Sequence, residues 1–271
     1  MKTTTITILI TLVAIFTGIS AFAAPLAVST FDTNSEGWVT INWDGTGGTS
    51  NVDYLSLNSG GNVGGCIHTF DMYEDTFWRA PAKFKGNFSS AYGGTLSFDT
   101  MTITNPDWVM YDIYIVGNGQ TISYAFNKNP TSSWKHYSVT LSEGIGWMSG
   151  LVHITGGTAA TAAEIQHVLS NITDLRIRAE FTNGGDSTYL DNVILADTKG
   201  DVNSDTFVNV FDALLTLQYA VGLYKPIDEP AFKVAADVAP LDVKGKPVGN
   251  SMVDVFDALA ILRYAVELDQ W

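Results

Sequence analysis

The strongest constraint on the fold of this chain is a segment that occurs twice near its C-terminal end. Residues 208–223 read VNVFDALLTLQYAVGL and residues 253–268 read VDVFDALAILRYAVEL, so that eleven of the sixteen aligned positions are identical. Apolar residues recur at three- and four-residue spacing in both copies, which predicts an amphipathic helix in each. A repeat of this kind indicates two copies of one supersecondary unit that pack against each other. We expect the apolar side chains of Phe211–Val221 to face the other copy.

The first predicted helix follows a loop that is rich in oxygen-bearing side chains. They occupy positions one, three, five, nine and twelve, which is the ligand spacing of an EF-hand calcium loop, and position seven offers its backbone carbonyl. Thr206 stands where that loop usually has glycine, and the twelfth ligand is Asp instead of the longer Glu. The alternative is an acidic surface turn without a metal. The predicted calcium ligands are Asp201, Asn203, Asp205, Phe207, Asn209 and Asp212.

The second loop is less regular because it contains an insertion, residues 240–248. Counting back from the twelfth position leaves the first ligand on the far side of this insertion, where Asp237 is preferred and Asp242 is its rival. The predicted ligands are Asp237, Asn250, Met252 through its carbonyl, Asp254 and Asp257. We expect two calcium ions, and we expect their binding to be coupled to folding because the acidic loops repel themselves until a cation neutralises them.

Residues 1–23 have the pattern of a secretory signal peptide. Lys2 precedes an apolar run, Ile6–Phe16, and Ala21-Phe22-Ala23 forms a small-x-small cleavage site. Cleavage after Ala23 would leave a mature chain of 248 residues (271 − 23). A retained membrane anchor is the alternative, although the run is short for a bilayer span. We therefore expect a secreted, extracellular or cell-surface protein without a later membrane span.

The chain is acidic, with 28 Asp and Glu residues against 14 Lys and Arg residues and a formal net charge of −14. This balance disfavours nucleic acid or an anionic membrane as the partner, and it favours binding of cations. The single cysteine, Cys66, excludes an intramolecular disulfide framework. Because Cys66 lies among strand-like residues, we predict a buried, unreactive thiol.

Between Ala24 and Ala196, short alternating or aromatic-rich runs are separated by Gly, Asn and Asp, which is typical of an antiparallel β-sandwich or barrel. One helix, Ala162–Ser170, is predicted from the capping box that begins at Thr161 and closes at Glu164. The predicted strands are Gly37–Trp43, Cys66–Asp71, Thr95–Ile103, Val109–Val116, Thr121–Phe126, Lys135–Leu141, Leu151–Ile154, Asp174–Phe181 and Thr188–Leu195.

A set of ordered motifs occurs in this region: GNVGG at 61–65, WRAPAKFKG at 78–86, AYGGTLSFD at 91–99, the predicted helix, LRIRAEF at 175–181 and YLDNV at 189–193. In this order the motifs resemble the laminin domain IV (laminin B) family over residues 29–195. That resemblance implies a jelly-roll-like antiparallel β-sandwich, and a role in extracellular binding or spacing without catalysis. The cysteine-rich modules that flank the domain in laminins are absent from this sequence.

The duplicated C-terminal region, residues 198–270, resembles a type I dockerin domain. The resemblance implies a small α module of two calcium loop–helix repeats that docks onto a cohesin-type domain of another protein. The boundaries expected from both resemblances are 24–197 for the sandwich and 198–271 for the dockerin. Loop positions ten and eleven are Val210-Phe211 and Val255-Phe256 instead of small hydroxyl residues, which disfavours a cellulosomal cohesin.

Three hypotheses for function follow. In the first, the protein is a secreted, non-catalytic adaptor whose dockerin binds a cohesin-type partner while the sandwich recognises an extracellular ligand. In the second, it belongs to polysaccharide catabolism and the sandwich is a carbohydrate-binding module or, alternatively, a glycoside hydrolase. In the third, it is a spacer without a ligand. Sugar-stacking candidates, which are alternatively half-buried sandwich residues, are Trp43, Trp108, Trp134, Tyr137 and Trp147.

Catalysis is disfavoured because the sequence has no G-x-S-x-G, H-E-x-x-H or phosphate-loop motif. The cluster Asp71, Glu74 and Asp75 offers two carboxylates for glycoside hydrolysis, or alternatively a solvated turn. Asp191 resembles an acidic residue that binds structural calcium in the last strand of many carbohydrate-binding jelly rolls, with Asp32 or Glu36 as its partner. A simple hydrogen-bonding role for Asp191 is the alternative.

Overall fold

The computed structural model describes residues 21–22, 25–46, 52–55, 61–71, 75–154, 156–197, 199–203, 207–227, 229–243, 245 and 247–269. The chain divides into two compact units, of which the larger is Pro25–Ala196 and the smaller combines Met1–Ala24 with Asp197–Trp271. None of the helices in the described ranges is both long and apolar enough to cross a membrane.

The larger unit consists of two antiparallel sheets, which confirms the predicted β-sandwich. In chain order, the described strands of the protein are β1 (Ala21–Phe22), β2 (Pro25–Ser29), β3 (Val39–Asn42), β4 (Asp53–Leu55), β5 (Cys66–Asp71), β6 (Thr76–Arg79), β7 (Thr95–Thr102), β8 (Ile113–Gly117), β9 (Gln120–Tyr124), β10 (Lys135–Thr140), β11 (Met148–Ser149), β12 (Thr158–Ala159), β13 (Ile172–Arg178), β14 (Asp186–Ala196) and β15 (Phe207–Val208).

Both sheets contribute apolar side chains to one core. The six-stranded sheet has the order β10-β7-β14-β5-β4, with β2 paired to the C-terminal part of β14, and the seven-stranded sheet has the order β12-β11-β9-β8-β13-β6-β3. Trp38, Trp78 and Trp147 are fully buried. The ring of Trp38 meets those of Phe31 and Phe84 edge-on, at centroid distances of 6.1 and 5.5 Å. Aromatic burial of this extent is a large part of the stability of the sandwich.

The predicted capping box is confirmed at the start of helix α1 (Ala162–Leu169). The Thr161 hydroxyl accepts a hydrogen bond from the Glu164 backbone N–H, and the Glu164 carboxylate accepts one from the Thr161 backbone N–H. Ile165, Val168 and Leu169 are fully buried in the sandwich core. The helix therefore closes one part of the core beside β8 and β9.

The odd-numbered residues of strand β14 point away from the core in its first part and into the core in its second part. Asp191 lies opposite Asp99 of β7, but the next aligned pair is Ile194 with Ser97, so β14 holds one extra residue at this point. Asn192 has a φ of 49°, which is the left-handed backbone of many bulges. Leu190 is buried in the core before the bulge and Val193 after it. The bulge therefore lets Tyr189 and Asp191 point away from the core although Val193 points into it.

The predicted strand Leu151–Ile154 is wrong, and the short strand β11 lies just before it. Residues 151–154 are apolar for a different reason: Val152 packs against a buried cluster without being part of a strand. The cluster consists of Ile41, Phe77, Met110, Tyr111 and Tyr114. The Tyr114 hydroxyl donates a hydrogen bond to the Val152 carbonyl at 2.8 Å. The observed strands that lie outside the predicted ranges are β1, β2, β4, β6, β11, β12 and β15.

The smaller unit contains helices α2 (Val210–Ala220), α3 (Glu229–Ala236) and α4 (Val255–Ala265), and α2 packs against α4. Helix α3 is not among the predicted elements, and it contains Pro230 in its first turn, where proline is tolerated. Phe232 of α3 is buried against Tyr219 and Tyr224, at centroid distances of 5.0 and 5.7 Å. Of the predicted signal segment, only Ala21–Phe22 is described, and it pairs with β15.

Candidate functional site

The twelfth residue of the first predicted calcium loop ties the start of that loop to its helix. One carboxylate oxygen of Asp212 accepts hydrogen bonds from the backbone N–H groups of Val202 and Asn203, at 3.0 and 3.3 Å. The other oxygen accepts one from the Asn209 N–H at 2.9 Å, and the Asn209 side chain accepts the Phe211 N–H at 2.8 Å. The carboxylate of Asp212 is thereby held in a fully buried position.

The second loop repeats this arrangement at the equivalent residues. One oxygen of Asp257 accepts the N–H groups of Val238 and Ala239, at 2.9 and 2.7 Å, and the other accepts the Asp254 N–H at 2.8 Å. The Asp254 side chain caps α4 by accepting the Phe256 N–H at 2.7 Å. Two loops that differ in length and sequence thus place the residues at their ninth and twelfth positions in the same way.

The structure brings Asp237 to the second loop across the insertion. Its carboxylate oxygens accept the backbone N–H groups of Asn250 and Ser251, each at 2.8 Å. The rival residue, Asp242, uses its carbonyl within the insertion, where it accepts the Gly245 N–H at 3.0 Å. Ser251 has a φ of 66°, which is the backbone that favours glycine at this position. Thr206 and Asp205 of the first loop lie outside the described residues.

Burial raises the pKa of Asp212 to about 7, and the negative charge of Asp201 adds to this rise. Burial also raises the pKa of Asp257, with a further contribution from Asp237. In both loops the carboxylates of positions one and twelve therefore repel each other, and a cation between them would stabilise the ionised forms of both. Because the donors are oxygens only, the residues fit calcium. No group of three or more His, Cys, Asp or Glu side chains is arranged to hold a metal within the described ranges.

The two helices that follow these loops expose equivalent apolar side chains. Phe211 is 61% exposed and Phe256 is 67% exposed. Leu259 and Leu262 continue the exposed surface one and two turns further along α4. The prediction that Phe211 and Val221 face the other repeat is therefore wrong. The buried residues of α2 are Asp212, Ala213 and Thr216. The inner side of the helix therefore consists of two small side chains and of the carboxylate that is hydrogen-bonded to the loop.

A second candidate site lies on the six-stranded sheet, on the face directed away from the core. Tyr189 of β14 lies opposite Met101 of β7 and His68 of β5, and His68 lies opposite Asp53 of β4. Lys135 of β10 pairs with Thr100, so that the same register places Trp134 opposite Met101. We call the residues Trp134, Met101, Tyr189, His68 and Asp53, in spatial order, the cross-strand row.

Ring contacts show that the aromatic members of the row are neighbours. The centroids of Tyr189 and His68 are 4.6 Å apart, and those of Tyr189 and Trp134 are 6.4 Å apart with planes at 74°. One His68 ring nitrogen lies 2.7 Å from the Ser187 hydroxyl and the other 3.6 Å from the Asp53 carboxylate. Trp134, Tyr189 and Met101 are half-buried, while Asp53 is exposed.

One side of the cross-strand row is bordered by a hydrogen-bonded polar cluster. Asp99 Oδ2 accepts hydrogen bonds from the side-chain amides of Asn62 and Asn192, at 2.9 and 2.8 Å, and Asp99 Oδ1 lies 2.8 Å from His136 Nδ1. Asp191 accepts the backbone N–H groups of Asn62 and Asn192, at 2.8 and 2.7 Å. The two asparagines cover both carboxylates, whereas the side chain of His136 is 60% exposed.

The predicted sugar-stacking residues are not gathered on one surface. Trp147 is a core residue whose indole N–H donates to the Thr140 carbonyl, so it is a sandwich residue and not a sugar-stacking one. Tyr137 packs on the core and stacks on Phe98 at 5.7 Å. Trp43 stacks on His153 at 4.2 Å, and Trp108 is half-buried. Among these five residues, Trp134 belongs to the cross-strand row.

The other carboxylates proposed from sequence are engaged in local contacts. Asp75 lies 3.0 Å from His153 Nε2, and the side chains of Asp71 and Glu74 lie outside the described residues. Glu36 accepts the N–H groups of Thr30 and Phe31 and pairs with Lys83. The side chain of Glu36 is thus committed near the N-terminus of the sandwich.

These observations define a β-sandwich module joined to a unit of two loop–helix repeats. The family model of Laminin B (Domain IV) matches residues 77–210, which confirms that part of the expected resemblance. The L4b domain of human laminin alpha-2 has the same fold, with a TM-score of 0.51 and 13% identity, over 63% of this chain and 97% of that chain.

Weaker structural similarity extends to two carbohydrate-binding domains. A family 11 carbohydrate-binding module from Clostridium thermocellum, in complex with a β-1,3-1,4-mixed-linked tetrasaccharide, has a TM-score of 0.40 and 17% identity, over 67% of this chain and 98% of that one. The CBM22-1 xylan-binding domain from Paenibacillus barcinonensis Xyn10C has a TM-score of 0.37 and 11% identity, over 65% of this chain and 96% of that one. At these identities the similarity concerns the fold alone.

Proposed function

We propose that this protein is a secreted, non-catalytic adaptor. Its C-terminal unit is a calcium-stabilised dockerin that binds a cohesin-type domain, and its β-sandwich recognises an extracellular ligand. The observation that carries the proposal is the equivalence of the two loop–helix repeats, in which Asp212 and Asp257 hold their loops by the same hydrogen bonds. A duplicated calcium unit with this architecture and no apparent catalytic motif suits attachment to another protein.

The exposed side chains of the helices supply the surface for that attachment. Phe211 and Phe256 are the second residues of α2 and α4, at equivalent positions of the repeat, and both are more than half exposed. Large aromatic residues are frequent energetic centres of protein interfaces. Because these positions are apolar, we expect a cohesin with an apolar docking surface, and the near-symmetry of the repeats allows either helix to be presented.

The test is surface plasmon resonance of the mature chain, residues 24–271, on immobilised type I cohesin domains, with calcium and then with chelator. We expect calcium-dependent binding that is weakened about tenfold or more by Phe256→Ser or Phe211→Ser, and abolished in the double variant. Ile227→Ser is the matched control, because Ile227 is exposed in the same unit but lies outside the helices. Failure of every cohesin with calcium present, or binding that survives chelation, would refute the docking function.

A second candidate function is participation in polysaccharide breakdown, with the sandwich acting as a carbohydrate-binding module. The observation that favours it is the cross-strand row, where half-exposed aromatic rings lie beside hydrogen-bonding side chains. This second function is compatible with the first, since a dockerin would hold the binding module on a larger assembly.

A further inference from the structure

We propose that the cross-strand row binds an uncharged polysaccharide that lies across the strands of the six-stranded sheet, with sugar rings resting on Tyr189 and Trp134. The inference rests on the proposed function in which the sandwich is the recognition part of the protein. It adds the face, the residues and the chemical class of the ligand.

The aromatic geometry suits sugar rings. Tyr189 and Trp134 are both half-exposed, and their planes are nearly perpendicular, so that they offer two apolar surfaces of different orientation. The axial C–H face of a pyranose is apolar and packs on such surfaces. Phe70, which is 60% exposed, lies opposite Ser187 and extends the apolar surface on the side away from Asp99. Four inter-strand spacings make the row roughly 19 Å long, which is the scale of a short oligosaccharide.

Polar groups are placed beside the rings at fixed positions. His68 is oriented by Ser187 and Asp53, and Asp53 is 70% exposed and able to accept hydrogen bonds from hydroxyl groups. On the other border, His136 is exposed and held by Asp99. Ligand sites combine apolar area with a few positioned polar groups, because the former supplies affinity and the latter orientation. Both components are present along the row.

The negative charge of this surface favours a neutral polysaccharide over an anionic one. Three carboxylates, those of Asp53, Asp99 and Asp191, lie in or next to the row, and the whole chain has a formal net charge of −14. A polyanion would be repelled by this surface. A neutral chain carries no such cost, and its hydroxyl groups can donate to the exposed carboxylate of Asp53.

The test is affinity gel electrophoresis of the mature chain in gels that contain hydroxyethyl cellulose, arabinoxylan or galactomannan, with polygalacturonate as the anionic probe. We expect retardation by at least one neutral polymer and none by polygalacturonate. Trp134→Ala and Tyr189→Ala should each weaken binding about tenfold, and Tyr189→Phe should keep most of it because the ring remains. Trp43→Ala is the matched control, because Trp43 is a half-buried tryptophan that packs beside β8 of the seven-stranded sheet.

Every variant is also tested for thermal unfolding and for calcium-dependent binding to cohesin, which reports on the other unit. Unchanged cohesin binding together with loss of polysaccharide binding in the row variants would support the inference. No retention of the wild-type protein by any neutral polymer, equal retention by polygalacturonate, or equal retention of the two alanine variants would overturn it. None of these results would affect the docking function, because cohesin binding is measured separately.

Discussion

Asp99 and Asp191 lie directly opposite each other on β7 and β14, and their pKa values shift in opposite directions. Burial opposes ionisation of Asp99, but hydrogen bonds from His136, Asn192 and Asn62 outweigh it and lower the pKa of Asp99. Burial raises the pKa of Asp191 to about 7 despite two backbone amides, and the charge of Asp99 adds to the rise. The ionised form of Asp99 is therefore stabilised, whereas ionisation of Asp191 near neutral pH costs free energy of folding.

Replacing Asp191 by Asn should change how stability depends on pH. The pKa of Asp191 is about 7 in the folded state and about 3.9 in an unfolded chain, so the wild-type protein loses stability as the pH rises from about 4 to about 7. Asp191→Asn removes this loss. Between pH 5 and pH 8 we expect the wild-type protein to lose on the order of 2 kcal/mol more than Asp191→Asn, since about 1.4 kcal/mol corresponds to one pKa unit and water reduces the full effect.

The measurement is chemical unfolding of both proteins at pH 5 and pH 8. Asp107→Asn is the matched control, because Asp107 is an exposed carboxylate of the same unit. An identical pH dependence in the wild-type protein and Asp191→Asn would contradict the assignment.

Removing Arg178 should destabilise the sandwich by about 3–5 kcal/mol, because it leaves an unpaired buried charge on Asp112. The Arg178 side chain is 1% exposed, donates to the Trp108 carbonyl at 3.0 Å and lies over the Phe181 ring at 4.4 Å. Burial raises the pKa of Asp112 to about 6, although Arg178 opposes that rise. Urea unfolding of Arg178→Ala at pH 7.5 measures the loss.

The matched control for this prediction is Arg79→Ala. Arg79 is 34% exposed and pairs with Asp174 at 2.8 Å, and partly exposed ion pairs contribute about 1 kcal/mol or less. Equal losses for the two arginine variants would show that burial of the Arg178 pair is not what matters.

Calcium should bind the mature chain with a stoichiometry of two ions. Asp212→Asn and Asp257→Asn should each reduce the stoichiometry to one, because each removes the charged ligand that closes one loop. Isothermal titration calorimetry measures this, and circular dichroism should show helix lost with chelator and regained with calcium. Asp269→Asn is the control, since Asp269 pairs with Arg263 in the same unit. Unchanged helicity after chelation would remove the coupling of calcium to folding.

The parts of the fold that follow from local patterns were predictable. The capping box of Thr161 and Glu164 needs a spacing of three residues, and the helix it predicts is observed with a difference of one residue at its end. The short run Cys66–Asp71, bounded by glycines at its start, likewise predicted the observed strand. Both signals are contained in a few consecutive residues, so no knowledge of the tertiary structure was needed.

The cross-strand row could not be predicted in this way. Trp134, Tyr189 and His68 are brought together by the register of four strands, and that register depends on contacts between distant parts of the chain. Side-chain exposure could not be predicted either, since Trp147 and Trp134 both lie beside polar or turn residues in the sequence, but only Trp147 of these two is a core residue. The signal that was available was the order Ser187, Tyr189, Asp191, in which alternate residues are polar or aromatic.

The extra residue at Asn192 separates the surface residues of β14 from its core residues along the strand. The half of the strand before the bulge sets the recognition chemistry with its odd-numbered residues, and the half after it uses odd-numbered residues for the hydrophobic interior. Without Asn192, all alternate residues of β14 would lie on the same face of the sheet. Either Tyr189 would then turn towards the core or Val193 would turn away from it. Related sequences that vary Tyr189 while retaining this insertion could therefore diversify their ligands without redesigning the interior.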